Sequence, residues 1–96
     1  MNKIENLFLE KSMNRSGLVL YRKNDALLFV KNCEREMINI LGIDGFRFIG
    51  DRIQPSMEDS IDLSASSSKY IDDIYSTVIS IIEKSDDNMF FEIVCE

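Results

Sequence analysis

Histidine and tryptophan are absent from the sequence, and proline occurs once, cysteine twice and glycine four times. The missing histidine removes the commonest general base and the commonest metal-binding side chain of proteins. So little proline and glycine argues against collagen-like, low-complexity and turn-rich all-β architectures. No apolar run approaches the roughly 20 residues of a membrane-spanning helix, and the N-terminus lacks the apolar segment of a secretory signal. We therefore expect a cytoplasmic protein that does not bind membranes.

The composition is that of a small globular domain. The 96 residues are 45% hydrophobic and 29% charged, which predicts one domain over residues 1–96 with a modest core. Acids outnumber bases by 17 to 11, and the net charge is −6. The excess lies in residues 49–96, which hold 11 acids and three bases. A field of this sign repels nucleic acid and favours a basic protein partner.

The two cysteines, Cys33 and Cys95, are 62 positions apart. They form no CxxC motif and have no histidine beside them, so the sequence does not predict a zinc site. Two buried thiols in a reducing compartment are the favoured interpretation, and a disulfide between them stays open because spacing does not determine pairing. The carboxylates lack the spacing of a calcium-binding loop. We expect neither a metal nor a cofactor.

The first of two main helices is predicted after residue 23. Asn24 or Asp25 would cap it, because either side chain can accept from the free amides of a first turn. The apolar face has helical spacing. It consists of Ala26, Phe29, Val30, Cys33 and Met37. A short helical pattern near the N-terminus involves Ile4, Leu7 and Phe8.

The second helix has the clearest pattern in the chain. Ser67 or Ser68, in the serine-rich stretch 64–68, would cap it, with Asp72 and Asp73 in the first turn, where the helix dipole favours negative charge. Lys84 lies in the last turn, where a cation is favourable. The apolar stripe consists of Ile71, Ile74, Tyr75, Val78, Ile81 and Ile82.

Extended segments are predicted at residues 18–21, 37–43, 46–49, 60–63 and 89–95. Segment 37–43 could instead continue the first helix, and segment 89–95 is apolar except for Glu92. Asp44-Gly45 and Gly50-Asp51 are turn dipeptides, and Pro55 suits an edge strand or a loop. Phe46 and Phe48 share one strand face without a cluster of cations. The element order predicts an α+β fold: a single two-layer domain with two main helices packed on a small mixed β-sheet.

The residues do not favour catalysis. Without histidine, a serine or cysteine nucleophile would need a lysine or carboxylate as its base. The acidic pairs Glu58-Asp59, Asp72-Asp73 and Asp86-Asp87 are sequence neighbours, and neighbouring side chains point in different directions. We expect that the protein is not an enzyme. A metal-dependent hydrolase that uses clustered carboxylates stays open as an alternative.

An acidic stretch in predicted turns and edge segments supplies the candidate partner-binding residues. They are Asp44, Asp51, Glu58, Asp59 and Asp62. Turns held on a rigid sheet often carry recognition residues. A row of carboxylates can bind lysine and arginine side chains that would otherwise hold nucleic-acid phosphates, and it speeds the encounter. The alternative is that these acids keep a small domain soluble, and both interpretations stay open.

The order of segments also carries a resemblance. A helix that starts near Asn24 leads into residues 38–46, INILGIDGF, and segments 53–55 and 60–64 precede a second helix and residues 91–94. Over residues 24–95 this pattern, with Ile-Leu-Gly followed by an acid and an aromatic residue, resembles the small bacterial immunity proteins that accompany colicin-type and contact-dependent-inhibition toxins. The resemblance implies a non-enzymatic cytoplasmic protein that binds the toxic C-terminal domain of its cognate effector, often an RNase or DNase.

The functional hypothesis is therefore an immunity protein that neutralises a basic nuclease by occluding its active site or substrate groove. An acidic nucleic-acid mimic that inhibits a defence enzyme is the main alternative. A homodimer stays open, because a small sheet leaves strand edges available. The resemblance transfers no individual contact residue, so the five candidate acids rest on charge and predicted exposure.

Overall fold

The computed structural model describes residues 2–63 and 73–96, which form an α+β arrangement of three helices and five strands. In chain order these elements are α1 (Lys3–Phe8), β1 (Met13–Arg15), β2 (Leu18–Arg22), α2 (Lys23–Arg35), β3 (Ile40–Ile49), β4 (Arg52–Asp62), α3 (Ile74–Lys84) and β5 (Phe90–Cys95). One 3-10 turn, Leu9–Lys11, follows α1. The predicted segment 18–21 is confirmed as β2.

The sheet has the strand order β1-β2-β5-β3-β4, and each pair of neighbouring strands is antiparallel. The expectation of a mixed sheet is therefore corrected for the described strands. Strands β2 and β3, which α2 connects, do run parallel to each other, but β5 lies between them and runs opposite to both. The expectation of two main helices is not exactly matched, because the described residues form three helices, α1, α2 and α3.

All three helices contribute to a core on one face of the sheet. The rings of Phe8, Tyr21 and Phe29 pack with centroids 5.1 to 6.4 Å apart and join α1, β2 and α2. Phe29 and Phe91 are fully buried, and burial of each is worth about 2–3 kcal/mol. The remaining buried core residues are Ile4, Ala26, Val30, Cys33, Ile40, Ile43, Leu63, Val78, Ile82, Met89 and Ile93.

Helix α2 confirms the first predicted helix but corrects both of its ends. Asn24 and Asp25 do not cap it, since the extended residue Arg22 continues β2 directly into the helix and makes no side-chain cap. Met37 does not belong to the apolar face, because the helix ends at Arg35. The Met37 backbone has φ +57° and its side chain is 86% exposed.

Helix α3 is capped by Asp73, which corrects the expectation that this residue lies in the first turn. The Asp73 carboxylate accepts a hydrogen bond of 3.0 Å from the backbone amide of Ser76. Val78 and Ile82 are buried as predicted, and Lys84 lies in the last turn. The other predicted features of this helix's start lie outside the described residues. They are stretch 64–68 with Ser67 and Ser68, Ile71 and Asp72.

Strand β3 corrects the prediction of a turn at Asp44-Gly45. The strand passes through both residues, with a shift of its register against β4 between Ile43 and Gly45. Glycine fits here because a Cβ at Gly45 would lie 2.5 Å from the Cβ of Asp59. The strand also begins at Ile40, not at residue 37. Alternating exposure over residues 46–49 is confirmed.

Strand β4 is an edge of the sheet and includes Pro55, as predicted for that residue. The turn at Gly50-Asp51 is confirmed and joins β3 to β4, with φ +59° at Gly50. The predicted segment 60–63 is the end of this longer strand. Four residues of β4, 57–60, face the single residue Asp44 of β3, so β4 bulges outward there.

Candidate partner-binding site

The face of the sheet opposite the core, here called the outer face, follows from the register of the strands. Ile43 and Phe91 point into the core, so their neighbours Asp44 and Glu92 point to the other side, because side chains alternate along a strand. Residues that pair across strands share a face. The outer face therefore carries charged and aromatic side chains from β2, β3 and β5.

Asp44 of β3 and Glu92 of β5 are paired directly across the outer face. Like charges in such a pair destabilise a sheet. Partial burial raises the pKa of Glu92 above its ordinary value, and the Asp44 carboxylate raises it further. A cation at this position would be favoured, because it would relieve the repulsion that the two carboxylates exert on each other.

Beside this pair is a groove of about 330 Å³ that contains two of the predicted acids, Asp44 and Asp62. Its apolar wall includes Leu41 and Val94, and Val94 is 44% exposed. Gly42 pairs with both Asp62 and Val94, so the groove spans three strands. We call this feature, together with Glu92, the acidic groove. It combines carboxylates with apolar surface, which suits the amphipathic side chains of lysine and arginine.

The other three predicted acids lie outside the acidic groove. Asp51 is exposed in the turn between β3 and β4. The end of β3 at Ile49 lies roughly 17 Å along the strand from Asp44, and the turn with Asp51 lies beyond that end. Glu58 is exposed in the bulge of β4, beside Met57, which is 86% exposed. These two acids lie on the surface of the β3–β4 hairpin.

Asp59 points away from the groove and holds the bulge of β4 together. Its carboxylate accepts hydrogen bonds from the hydroxyl of Ser56, at 2.6 Å, and from the hydroxyl of Ser85 at the end of α3. The Ser60 hydroxyl completes the bulge, since it accepts from the Gly45 amide at 3.0 Å and donates to the Ser56 carbonyl. This geometry favours a structural role for Asp59.

Sequence reasoning missed Glu92 as a site residue. The apolar pattern predicts Glu92 only as an interruption in a largely buried strand, whereas Glu92 is half-buried between the buried residues Phe91 and Ile93. The available signal was the alternation along the strand, which predicts that residues 90, 92 and 94 share the face opposite the core. The sequence alone does not show which residue pairs with Glu92, because only the order and register of the strands place Asp44 opposite it.

A cluster of arginines and aromatic rings lies on the same face, beyond the acidic groove. The rings of Phe48 and Phe90 are 4.5 Å apart between centroids. The guanidinium of Arg15 lies 4.9 Å from the Phe48 ring and that of Arg22 lies 5.5 Å from the Phe90 ring. The sequence showed no cluster of cations near Phe48 beyond Arg47, because Arg15 and Arg22 come from β1 and β2. The outer face thus has one basic aromatic region and one acidic region.

Comparison of the chain with models of known protein families, with curated proteins and with solved structures found no match. Within residues 2–63 and 73–96, no three histidine, cysteine or acidic side chains are grouped to hold a metal ion. None of the helices in this part of the chain has the length and apolar composition needed to cross a membrane. The outer face and its acidic groove are therefore the candidate functional site.

Proposed function

We propose that this protein is an immunity-type inhibitor that binds a basic toxin domain in the cytoplasm. The observation that carries the proposal is the pairing of Asp44 with Glu92 beside the groove that Asp62 completes. In the free protein this pairing is unfavourable, and a cation from a partner makes it favourable. The resemblance of residues 24–95 to small bacterial immunity proteins supports the same class of function.

A lysine or arginine side chain is the proposed occupant of the acidic groove. Its charged end would bind the carboxylates of Asp44 and Asp62, and its aliphatic stem would lie on Leu41 and Val94. The geometry suits a side chain that projects from a partner's loop, because the groove is open and crosses three strands. Charge-assisted hydrogen bonds of this kind are stronger than neutral ones.

A nuclease is the proposed type of toxin, because nucleases use lysine and arginine to hold phosphate groups. Occupation of those side chains by the acidic groove would block the substrate groove of the toxin. The net charge of −6 also favours rapid encounter with a basic partner. Contacts in the acidic groove would stabilise the complex, and the negative electrostatic field of the whole protein would increase the association rate.

A survival assay tests the proposal. The C-terminal domain of the protein encoded immediately upstream in the source genome is expressed alone and together with this chain. We expect killing by the domain alone and rescue by the wild-type chain. The variant Asp44→Lys should lose rescue, and Asp51→Lys should retain it. The second variant is the matched control, because both substitutions reverse one exposed aspartate on the β3–β4 hairpin.

Three outcomes would contradict the proposal. Killing without rescue by the wild-type chain would show that the two proteins are not a cognate pair. Equal loss of rescue in both variants would show that net charge, and not the acidic groove, determines binding. Binding of the wild-type chain to several unrelated basic nucleases with similar affinity would favour the nucleic-acid mimic instead.

A further inference from the structure

The two cysteines, distant in sequence, lie together where α2 packs on β5. Cys33 is fully buried on α2, and Cys95 at the end of β5 is partly exposed. The two thiols interact, and this interaction shifts the pKa of both, upward for Cys33 and downward for Cys95. The side-chain amide of Asn2, the residue that caps α1, donates a further hydrogen bond of 3.0 Å to the Cys95 sulfur.

A cavity gives solvent access to one of these thiols. Strands β2 and β5 pair at Tyr21 with Phe91 and at Arg22 with Phe90. Beyond these pairs a cavity of about 250 Å³ lies between α1, β2 and β5, and Cys95 is part of its wall. Cys33 is fully buried and does not line the cavity. One thiol is therefore accessible and the other is shielded.

We propose that Cys95 and Cys33 form a redox-active pair, in which Cys95 reacts with a hydroperoxide that enters the cavity and Cys33 closes a disulfide. The inference does not rest on the proposed function, because its chemistry uses only the two thiols, although Glu92 and Val94 of the acidic groove also line the cavity beside Cys95. It departs from the interpretation of the two thiols as inert small hydrophobes, since accessible thiols beside a second thiol are the ones that oxidise reversibly.

The chemistry needs a peroxide as the only external reactant. The Cys95 thiolate attacks one peroxide oxygen, the O–O bond breaks, and the alcohol or water that leaves takes a proton. The product is a sulfenic acid on Cys95. The Cys33 sulfur then attacks the Cys95 sulfur, the S–O bond breaks, and water leaves. The two thiols have together given two electrons to the peroxide.

The environment assigns the two roles. The hydrogen bond from Cys33 lowers the pKa of the Cys95 thiol, as does the amide of Asn2, whereas burial and Glu5 act in the opposite direction. The same hydrogen bond and burial raise the pKa of Cys33. Cys95 is the attacking thiol, because it lines the cavity whereas Cys33 is fully buried.

The test uses the full chain, hydrogen peroxide and mass spectrometry. After peroxide treatment, the chain is denatured and alkylated, and its intact mass is measured. We expect a monomer that has lost two hydrogen atoms and accepts no alkyl group. The variant Cys33→Ala should stop at the sulfenic acid, which a cyclic dione traps. The variant Cys95→Ala should oxidise at least ~10-fold more slowly than the wild type, because its remaining thiol is buried.

Circular dichroism of both variants establishes that they are folded, and Cys95→Ser replaces Cys95→Ala where the latter is not. Three results would overturn the inference. One is full alkylation of both wild-type cysteines after peroxide treatment. Another is equal oxidation rates in the wild type and the Cys95 variant. The third is a disulfide that forms only between two chains, seen as a dimer on a non-reducing gel.

Discussion

Asp44 and Glu92 lie opposite each other on neighbouring antiparallel strands, with both side chains on the outer face of the sheet. The position places two negative charges where a sheet normally has complementary or apolar neighbours. Partial burial and Asp44 both raise the pKa of Glu92. The free protein thus carries a local electrostatic cost at the site that we assign to its partner.

We predict that Glu92→Gln stabilises the free protein at pH 7 by about 0.5 kcal/mol, because it removes the repulsion within the pair. The folded-state pKa of Glu92 is raised, so the folded state binds the proton more tightly than the unfolded chain. Stability therefore falls as the pH rises from about 4.3, the unfolded value, through the folded pKa. The stabilisation of Glu92→Gln relative to the wild type should therefore disappear at pH 4. Urea unfolding at both pH values measures it.

The control for this prediction is Asp44→Asn, which removes the same repulsion from the other side. The double variant should gain no more than the better single variant, because the repulsion can be removed only once. Fully additive gains would show that the two carboxylates do not interact. A loss of stability for Glu92→Gln at pH 7 would show that Glu92 makes favourable contacts that outweigh the repulsion.

Met37 occupies a position where glycine is usual. The amide of Ile38 donates to the Cys33 carbonyl and the amide of Met37 donates to the Glu34 carbonyl, the two bonds that close a helix C-terminus. Met37 has φ +57° and is 86% exposed. We predict that Met37→Gly raises the free energy of unfolding by about 1 kcal/mol, by removing the strain of a side chain in this conformation. Met37→Ala, which keeps a Cβ, should gain much less. Denaturant unfolding distinguishes the two.

Gly45 is required by the close approach of β4. A Cβ at this position would lie 2.5 Å from the Cβ of Asp59 and 2.8 Å from its carbonyl oxygen. We predict that Gly45→Ala destabilises the fold by roughly 2 kcal/mol or more, because backbone must move to relieve the contact. Gly50→Asn is the control: the site has open space, and asparagine tolerates the positive φ of Gly50. Its thermal midpoint should stay near that of the wild type, and a similar drop in both variants would contradict the steric explanation.

Asp59 should affect stability and leave partner association unchanged. Asp59→Ala leaves Ser85, which is 6% exposed, with only the Ile81 carbonyl as a partner for its hydroxyl. We predict a loss of about 1–3 kcal/mol in the free energy of unfolding. Glu58→Ala, an exposed neighbour in the same bulge, should change it by less than about 0.5 kcal/mol. Equal effects of the two substitutions in denaturant unfolding would show that the hydrogen bonds of Asp59 contribute little.

Some sequence patterns predicted the elements of the fold correctly, and others did not. Apolar spacing predicted α2, α3 and β5, because periodic burial is a local property of one element. The end of α2 was missed because the position that usually holds glycine holds Met37. The turn predicted at Asp44-Gly45 is absent because β5 pairs with both residues, and local turn preference is weaker than the hydrogen bonds of a strand pair.

The candidate site was predicted in part for the same reason. Charge and expected exposure were sufficient to select Asp44 and Asp62, which the fold brings into one groove. They could not identify Glu92 as a member, because its position opposite Asp44 depends on β5 lying between β2 and β3. Asp59 was selected for its charge, whereas its hydrogen bonds depend on Ser85 of a distant element. Contacts between elements of high sequence separation are what a single sequence does not contain.

Association with the cognate toxin should depend on the acidic groove and on salt in separable ways. We predict that Asp44→Lys lowers the association rate about 10-fold or more at low salt and also speeds dissociation, because it removes both steering charge and a direct contact. Asp51→Lys should lower the association rate by a smaller factor and leave dissociation unchanged, since it changes only the long-range field. At high salt the effect of Asp51→Lys should vanish, because the field is screened within a few ångströms, whereas the faster dissociation of Asp44→Lys should persist. Stopped-flow measurements at two salt concentrations test this. Identical dissociation rates for the two variants would place the contact elsewhere on the protein.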